Sequence, residues 1–391
     1  MKRICFFGSS EKIGGTEIYM ITVVRLLKDR VRFDYLVRYN YNKIPFEDEI
    51  VLYGGKVYRE YYSNKEHAKR NYISPQEIIS HHPEWDGIYL NVQNIHTAYR
   101  LLEEAKKVGL TYRIIHAHNN GYMYPIKIKD KLYEIYFQLT KSHIITHYLA
   151  CSKNAGEWLF GRKVNINVIP NGVDFDIYRK NDTIRKAMRK KYHMADDSIL
   201  LGFCGRLCRQ KNPEMLIDII VELKNSPIYK LLIVGDGELR EKVMHYAEDC
   251  QVEDRILFVG STNNTNDYYQ MMDCFVLPSR FEGFGIVLLE AQAAGLRCYT
   301  TDTVVPNETN VTGRVTFISK NASAGEWADQ ITKGGFDRVD CYSILEKSDY
   351  SMKSMRQKLL KVFDNQEQDN LGGGYDILLL TSQYKSSGVA A

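Results

Sequence analysis

The stretch Cys274-Phe-Val-Leu-Pro278-Ser-Arg-Phe-Glu282-Gly-Phe-Gly285-Ile-Val-Leu-Leu-Glu290-Ala-Gln-Ala-Ala-Gly295-Leu-Arg297-Cys-Tyr-Thr-Thr301 decides the fold. Its first four residues form an apolar, strand-like run. A loop with two glycines follows, then an apolar helical pattern, and Arg297–Thr301 returns to a strand. Strand, helix and strand in that order make a βαβ unit, and such units build parallel sheets.

The same alternation continues in both directions. Strands are expected near Ile199–Cys204, Lys230–Val234, Arg255–Val259, Cys274–Leu277 and Arg297–Thr301, with helices between them. An earlier series opens with Arg3–Phe7, the loop Gly8–Gly15 and a helix from about Thr16 to Lys28. It goes on with strands at Arg32–Val37, Gly87–Asn91, Tyr112–Ala117, Ile144–Cys151 and Asn165–Ile169. Two series predict two doubly wound α/β domains, divided at the turn-forming Pro170-Asn-Gly-Val-Asp174. The expected domains are residues 1–173 and 174–365, with a tail 366–391 that holds three consecutive glycines and is expected to cross back to the first domain. That tail is expected to form a terminal helix with a frayed end. Residues 179–191 carry seven Lys/Arg against one Asp and read as a solvated surface helix.

Composition narrows the class. The chain has 391 residues, 44% hydrophobic and 26% charged, with 9 Pro and 27 Gly, which excludes a disordered or collagen-like chain. There is no apolar run of 18 residues, so no membrane-spanning helix is expected. The start, Met1–Gly8, is too briefly apolar for a signal peptide. Eight cysteines lie scattered without a Cys-x-x-Cys pair, which suits reduced, buried thiols in a cytosolic protein. Residues 1–171 hold 25 Lys+Arg and 17 Asp+Glu, a balance of +8; the remainder is at −4. A basic first half fits an anionic ligand, an acidic membrane surface or simply an uneven solvated surface. No nucleic-acid module is recognisable, and no nucleic-acid partner is expected.

Open parallel sheets bind ligands beyond the carboxyl ends of their strands, so chemistry is expected in those loops. In Pro278–Glu290, Gly283 and Gly285 allow close backbone approach, and a helix is expected from about Gly285, where free amides suit an anion or a sugar hydroxyl. Treated as helical, Glu282 and Glu290 lie about 12 Å apart, too far for a glycosidase acid/base pair. They fit two acceptors for different parts of one polyhydroxyl ligand, or equally a surface acid and an ordinary helix residue. In Gly205–Glu214, Asn212 is expected as an N-cap and Pro213 as the first helical residue. Arg206 and Lys211 would then offer two cations to a diphosphate, unless the loop is merely basic and exposed. Gly235-Asp-Gly237-Glu238 reads as a structural turn whose backbone could border a nucleobase, and no Gly-x-Gly-x-x-Gly fingerprint occurs. In the first half, Gly14-Gly15-Thr16-Glu17 sits at the first strand-to-helix turn. The strand ending in His116-Ala-His118-Asn119 is expected to send its two imidazoles to opposite environments, one into the packing and one toward the ligand side. A third metal ligand is not placeable, so no metal is expected.

Together these residues resemble the retaining, nucleotide-sugar-dependent glycosyltransferases of the GT-B fold that carry a Glu-x7-Glu motif and assemble bacterial exopolysaccharide and capsular polysaccharide. The resemblance lies in Gly14–Glu17, Arg113–Asn119, Ala150–Gly161, Ile169–Asp174, Gly205–Asn212, Leu231–Gly237 and Pro278–Gly295, in order, and it covers about residues 1–335. It implies two Rossmann-like domains facing across a cleft, the first for acceptor and the second for donor. It implies that Glu290 binds the ribose, Glu282 the transferred sugar, and Arg206 with Lys211 the diphosphate. The backbone of Gly283, Phe284 and Gly285 would support sugar or phosphate, and Gly15 would approach the phosphate from the other domain. His118 would lie near the reacting sugar, while Gly14, Glu17, His116 and Asn119 are candidates on the acceptor side.

The expected activity is therefore transfer of a hexose or N-acetylhexosamine from a UDP-sugar to a lipid-linked or soluble glycan. No metal or other cofactor would be needed, since Arg206 and Lys211 can neutralise the departing diphosphate. Retention would follow from attack on the leaving-group face, which the resemblance alone implies. The expected location is cytoplasmic, peripheral at the inner membrane face. Lys127, Lys129, Lys131 and Lys141, interleaved with Ile126, Ile128, Leu132 and Phe137, suit a membrane-surface helix or an ordinary core helix. A non-catalytic sugar-binding or partner-stabilising protein, and a nucleotide-sugar epimerase, are the alternatives on the same fold.

Overall fold

A computed structural model describes residues 1–37, 42–59, 74–92, 95–119, 132, 134–136, 140–162, 164–195 and 197–364. The chain forms two compact units. The first is Met1–His118, Tyr124–Val168 and residues from Leu359; the second is Asn119–Met123 and Ile169–Lys358.

The first unit is built on a parallel sheet of β1 (Lys2–Phe7), β2 (Val31–Val37), β3 (Val57–Arg59), β4 (Gly87–Asn91), β5 (Tyr112–Ala117), β6 (His147–Ala150) and β7 (Asn167–Val168). Its order is β3-β2-β1-β4-β5-β6-β7. The second unit holds β8 (Ile199–Cys204), β9 (Tyr229–Val234), β10 (Ile256–Gly260), β11 (Cys274–Leu277), β12 (Arg297–Thr301) and β13 (Val315–Ile318) in the order β10-β9-β8-β11-β12-β13. Every ladder is parallel. Winding reverses between β1 and β4 in one sheet and between β8 and β11 in the other, which opens a crevice at the strand ends there.

The central strands read as continuous apolar runs because helices cover both faces. Ile4 to Phe6, Leu231 to Val234 and Cys274 to Leu277 are all fully or almost fully buried. The short edge strands β3 and β13 were not expected. Val57-Tyr-Arg59 is half-buried throughout, and only the ends of Val315–Ile318 are buried, so neither carries a core-strand signature. The expected strand Ile144–Cys151 is shorter, because Ser142–Ile144 forms a 3-10 turn before β6.

The basic segment 179–191 needs correction. Its helix runs Asp182–Lys191, capped by the Asn181 side chain, but it is not simply solvated. Arg189 is buried, and Arg185 and Arg189 both pair with the buried Asp273. All eight cysteines are free and all but Cys250 are buried. The last helix among the described residues, Met352–Asp364, begins in the second unit and ends in the first. The tail beyond 364 lies outside the described residues, as do Ile126, Lys127, Ile128, Lys129, Lys131 and Phe137. Leu132 is exposed, and Lys141 pairs with Glu103 at 3.0 Å. Among the described residues no helix is long and apolar enough to cross a membrane.

Candidate active site

In the second unit, the loops after β8 and β11 flank the reversal point and are bonded to each other. Arg280 N donates to Gln210 O at 2.8 Å, and Gln210 Nε2 donates to Phe281 O at 3.0 Å. Arg280 Nη2 donates to Asn212 Oδ1 at 2.7 Å. That last bond explains why Asn212 does not cap the next helix as expected. Asn212 is left-handed (φ 53°), its side chain serves Arg280, and Pro213 precedes a helix that starts at Glu214.

The zipped loops bring Lys211 to Glu282. Lys211 Nζ donates to Glu282 Oε1 at 2.6 Å, and Ser279 Oγ donates to the same oxygen at 2.7 Å. The side chains of Lys211 and Glu282 are only 16% and 6% exposed, so the pair sits where solvent screens it weakly. Arg206 is not brought to this pair. Its guanidinium is exposed and meets Glu238 at 3.1 Å, across from the Gly235–Glu238 turn. That turn packs tightly on the first loop: a Cβ at Gly235 (φ 133°) would lie 2.0 Å from Gly205 O, so only glycine fits.

The helix after β11 starts at Val287 rather than near Gly285, because Gly285 is left-handed (φ 83°) and ends the loop. Glu282 is therefore on a loop, and a helical rise does not describe its separation from Glu290. The two carboxylates are held by different partners. Tyr269, fully buried on the helix Thr265–Met271, donates its hydroxyl to Glu290 Oε2 at 2.7 Å. Burial raises the Glu290 pKa, and hydrogen bonds from Tyr269 and Tyr178 and the charge of Lys211 work against that rise. Gly283, Phe284 and Gly285 are buried, and the Phe284 ring packs on Tyr350 at 4.8 Å.

In the first unit, β1 leads through Gly8–Gly14 into a helix starting at Gly15. Glu17 is buried and its Oε1 accepts from Ser10 N at 2.8 Å, which ties the loop to the helix. A Cβ at Gly14 would meet Glu17 Oε2 at 3.0 Å, whereas one at Gly15 would meet nothing within 4 Å. The imidazoles of His116 and His118 do not go to opposite faces. Residues two apart on a strand share a face, and these rings stack at 4.3 Å. They differ in depth: His116 is fully buried, while His118 and Asn119 are half-buried at the strand exit. Burial lowers the pKa of both imidazoles, that of His118 to about 3.

Tyr269, Tyr178, Ser279 and Asn91, whose Oδ1 lies 2.8 Å from His118 Nε2, join these sites without having been singled out from sequence. Asn91 had a usable signal, as the last residue of a strand beside the reversal point. The tyrosines had none, lying in segments without a local motif.

Residues 184–334 match the family described as glycosyl transferases group 1, which includes both zipped loops and Glu290. A Bacillus subtilis (strain 168) protein named as a glycosyltransferase, EpsF, is 25% identical over 338 residues, 85% of this chain and 87% of its own length. An Escherichia coli enzyme named UDP-Gal:alpha-D-GlcNAc-diphosphoundecaprenol alpha-1,3-galactosyltransferase is 30% identical over 181 residues, 45% of this chain and 47% of its own. Among solved structures, HepE of Anabaena in complex with UDP and glucose superposes with a TM-score of 0.74 over 93% of this chain and 100% of its own, at 18% identity. WaaG, a glycosyltransferase of lipopolysaccharide biosynthesis, has a TM-score of 0.61 at 15% identity, over 98% of this chain and 100% of its own. The two parallel-sheet units have the GT-B fold. Fold, family match and relatives together support a GT-B glycosyltransferase.

Proposed function

We propose that the chain is a retaining, metal-independent transferase that moves a hexose or N-acetylhexosamine from a UDP-sugar to a lipid-linked glycan in polysaccharide biosynthesis. The observation that carries this reading is the Lys211–Glu282–Ser279 cluster beside Tyr269–Glu290, on two loops bonded together at a sheet reversal. The relatives' names, which include a galactosyltransferase using UDP-Gal on a diphosphoundecaprenol acceptor, suggest the donor and acceptor classes. The same acceptor class suits work at the cytoplasmic membrane face.

In this reading Glu290 accepts hydrogen bonds from the ribose, and Glu282 accepts from a hydroxyl of the transferred sugar. Lys211, with Arg206 once it leaves Glu238, neutralises the departing diphosphate as charge builds on it. The amides of Gly283 to Gly285 support the sugar or phosphate. Gly15 serves the phosphate and His118 the reacting sugar, with Gly14, Glu17, His116 and Asn119 shaping the acceptor side. The acceptor oxygen bonds the anomeric carbon on the face from which the diphosphate leaves, and the departing phosphate takes the acceptor's proton, so configuration is retained without a protein nucleophile.

The test is thermal stability of the purified chain with UDP-, GDP- and ADP-sugars, with and without EDTA, followed by transfer assays. Saturation at a hundredfold excess over Kd stabilises by about 2.7 kcal/mol. A shift with one UDP-sugar that persists in EDTA is the expected result. A shift only when metal is supplied, or none with any nucleotide sugar, overturns the donor assignment. Tyr269→Phe is expected to weaken UDP binding several-fold, because it releases the Glu290 carboxylate that the Tyr269 hydroxyl now orients for the ribose. Titration calorimetry checks it, and unchanged affinity would mean that the Tyr269 bond does not set the Glu290 carboxylate for the ribose.

A further inference from the structure

We propose that Asn91 is a positioning residue that locks His118 in the tautomer carrying hydrogen on Nε2, so that Nδ1 meets the reacting sugar as a hydrogen-bond acceptor. This rests on the role given to His118 above.

Asn91 closes β4, is buried, and pairs in register with His116 on β5. Its backbone is clamped from the β1 side. A Cβ at Gly8 (φ 113°) would lie 2.1 Å from Asn91 O, so the chain passes there only as glycine. The Asn91 amide has two neighbours that define its orientation. Nδ2 faces Phe7 O at 3.5 Å, and Oδ1 lies 2.8 Å from His118 Nε2. The carbonyl of Phe7 can only accept, so turning the amide over would set two acceptors against each other. An amide oxygen cannot donate, and therefore the hydrogen in the short contact belongs to His118 Nε2.

The ring is also held in plane. It stacks on His116 at 4.3 Å and meets the edge of Tyr19 at 4.8 Å. His116 in turn shares a hydrogen bond with Tyr89 at 2.8 Å, and Tyr89 shares one with Tyr19 at 2.7 Å. Among the described residues, the titratable groups that touch His118 are His116, Tyr19 and the Cys151 thiol, which donates to His118 O at 3.5 Å. None of them supplies a carboxylate to hold a second ring proton, and burial keeps the imidazole neutral. A neutral ring with hydrogen on Nε2 has its lone pair on Nδ1, so Nδ1 can accept from a hydroxyl.

The experiment compares wild type, Asn91→Leu and Asn91→Asp. Leucine keeps the volume and removes the acceptor; aspartate keeps an acceptor. Nitrogen NMR of histidine-labelled protein near neutral pH should place the wild-type His118 proton on Nε2. In Asn91→Leu the proton should move wholly or partly to Nδ1, and kcat should fall about tenfold while UDP affinity stays unchanged. In Asn91→Asp the Nε2 proton should remain and turnover should be retained at high pH. Its low-pH loss should begin at a higher pH than in wild type, because the carboxylate favours the charged ring. A wild-type proton on Nδ1, or an Asn91→Leu variant with unchanged spectrum or unchanged kcat, overturns the proposal. The spectra need no turnover, so they decide the lock by themselves. A wild type that moves no sugar overturns instead the transferase reading and the catalytic half of the proposal.

Discussion

Lys211→Ala is expected to lower kcat for sugar transfer by about 10²–10³-fold, the range seen when one preorganised charge-stabilising group is removed. The ammonium lies 2.6 Å from Glu282, on a loop bonded to the Glu282 loop by backbone and side-chain hydrogen bonds. It needs no reorganisation when a diphosphate begins to leave. Charge on the leaving group is larger in the transition state than in the bound donor, so the loss should fall more on kcat than on donor affinity. The variant also leaves the buried Glu282 carboxylate with Ser279 as its remaining named donor, which costs about 1–3 kcal/mol of stability. Steady-state kinetics, UDP titration and a urea melt separate these effects. A Lys211→Ala enzyme within a few-fold of wild-type kcat would remove Lys211 from the machinery. Equal losses in affinity and kcat would make it a ground-state binding group.

The second large effect concerns stability. Asp273→Ala should destabilise the second unit by about 3–5 kcal/mol, the cost of stranding buried charge by deleting its partner. Asp273 Oδ2 accepts from Arg189 Nη1 at 3.1 Å and from Leu200 N at 2.7 Å, while Oδ1 pairs with Arg185. One carboxylate thus joins the helix Asp182–Lys191 to β8 just before β11 begins. Arg185 also donates to the carbonyls of Met271 and Met272 at 2.9 and 2.8 Å. The guanidinium is therefore fixed in place and cannot swing into solvent when its counter-ion is lost. Lys186→Ala and Lys190→Ala, at exposed positions of the same helix, should stay within about 0.5 kcal/mol. Urea denaturation followed by circular dichroism checks the set. A change at Asp273 as small as the lysine controls would show the network to be ornamental.

That helix also marks where reading the sequence succeeded and where it stopped. Its existence was legible from its charge composition, while the Asn181 side chain that caps it was not singled out. The paired arginines were not legible, because Asp273 is far along the chain and no local pattern ties it to 185 or 189. The same division holds at the site. The loops after β8 and β11 were found from strand-end position, glycines and charge. The bonds that turn them into one structure, such as Arg280 to Gln210 and to Asn212, were invisible, and they displaced the expected cap at Asn212. Stack geometry likewise corrected the two histidines, which share a face as residues two apart on any strand must.

What the sequence by itself determined is the alternation of buried strands and amphipathic helices, hence two parallel sheets, and the loops at the strand ends, where open parallel sheets place their ligands. These depend on hydrophobic period and turn chemistry, which are local and survive without knowledge of partners. What only the tertiary structure decided is which side chain each polar group meets: Lys211 with Glu282, Tyr269 with Glu290, His118 with Asn91. It also decided the edge strands β3 and β13, which bury too little to leave a signal. The reason is connectivity. In a parallel sheet every neighbouring strand is reached through a crossover, so groups that touch at the strand ends are far apart in the chain. Their pairing is set by strand order and register, which no window of sequence contains.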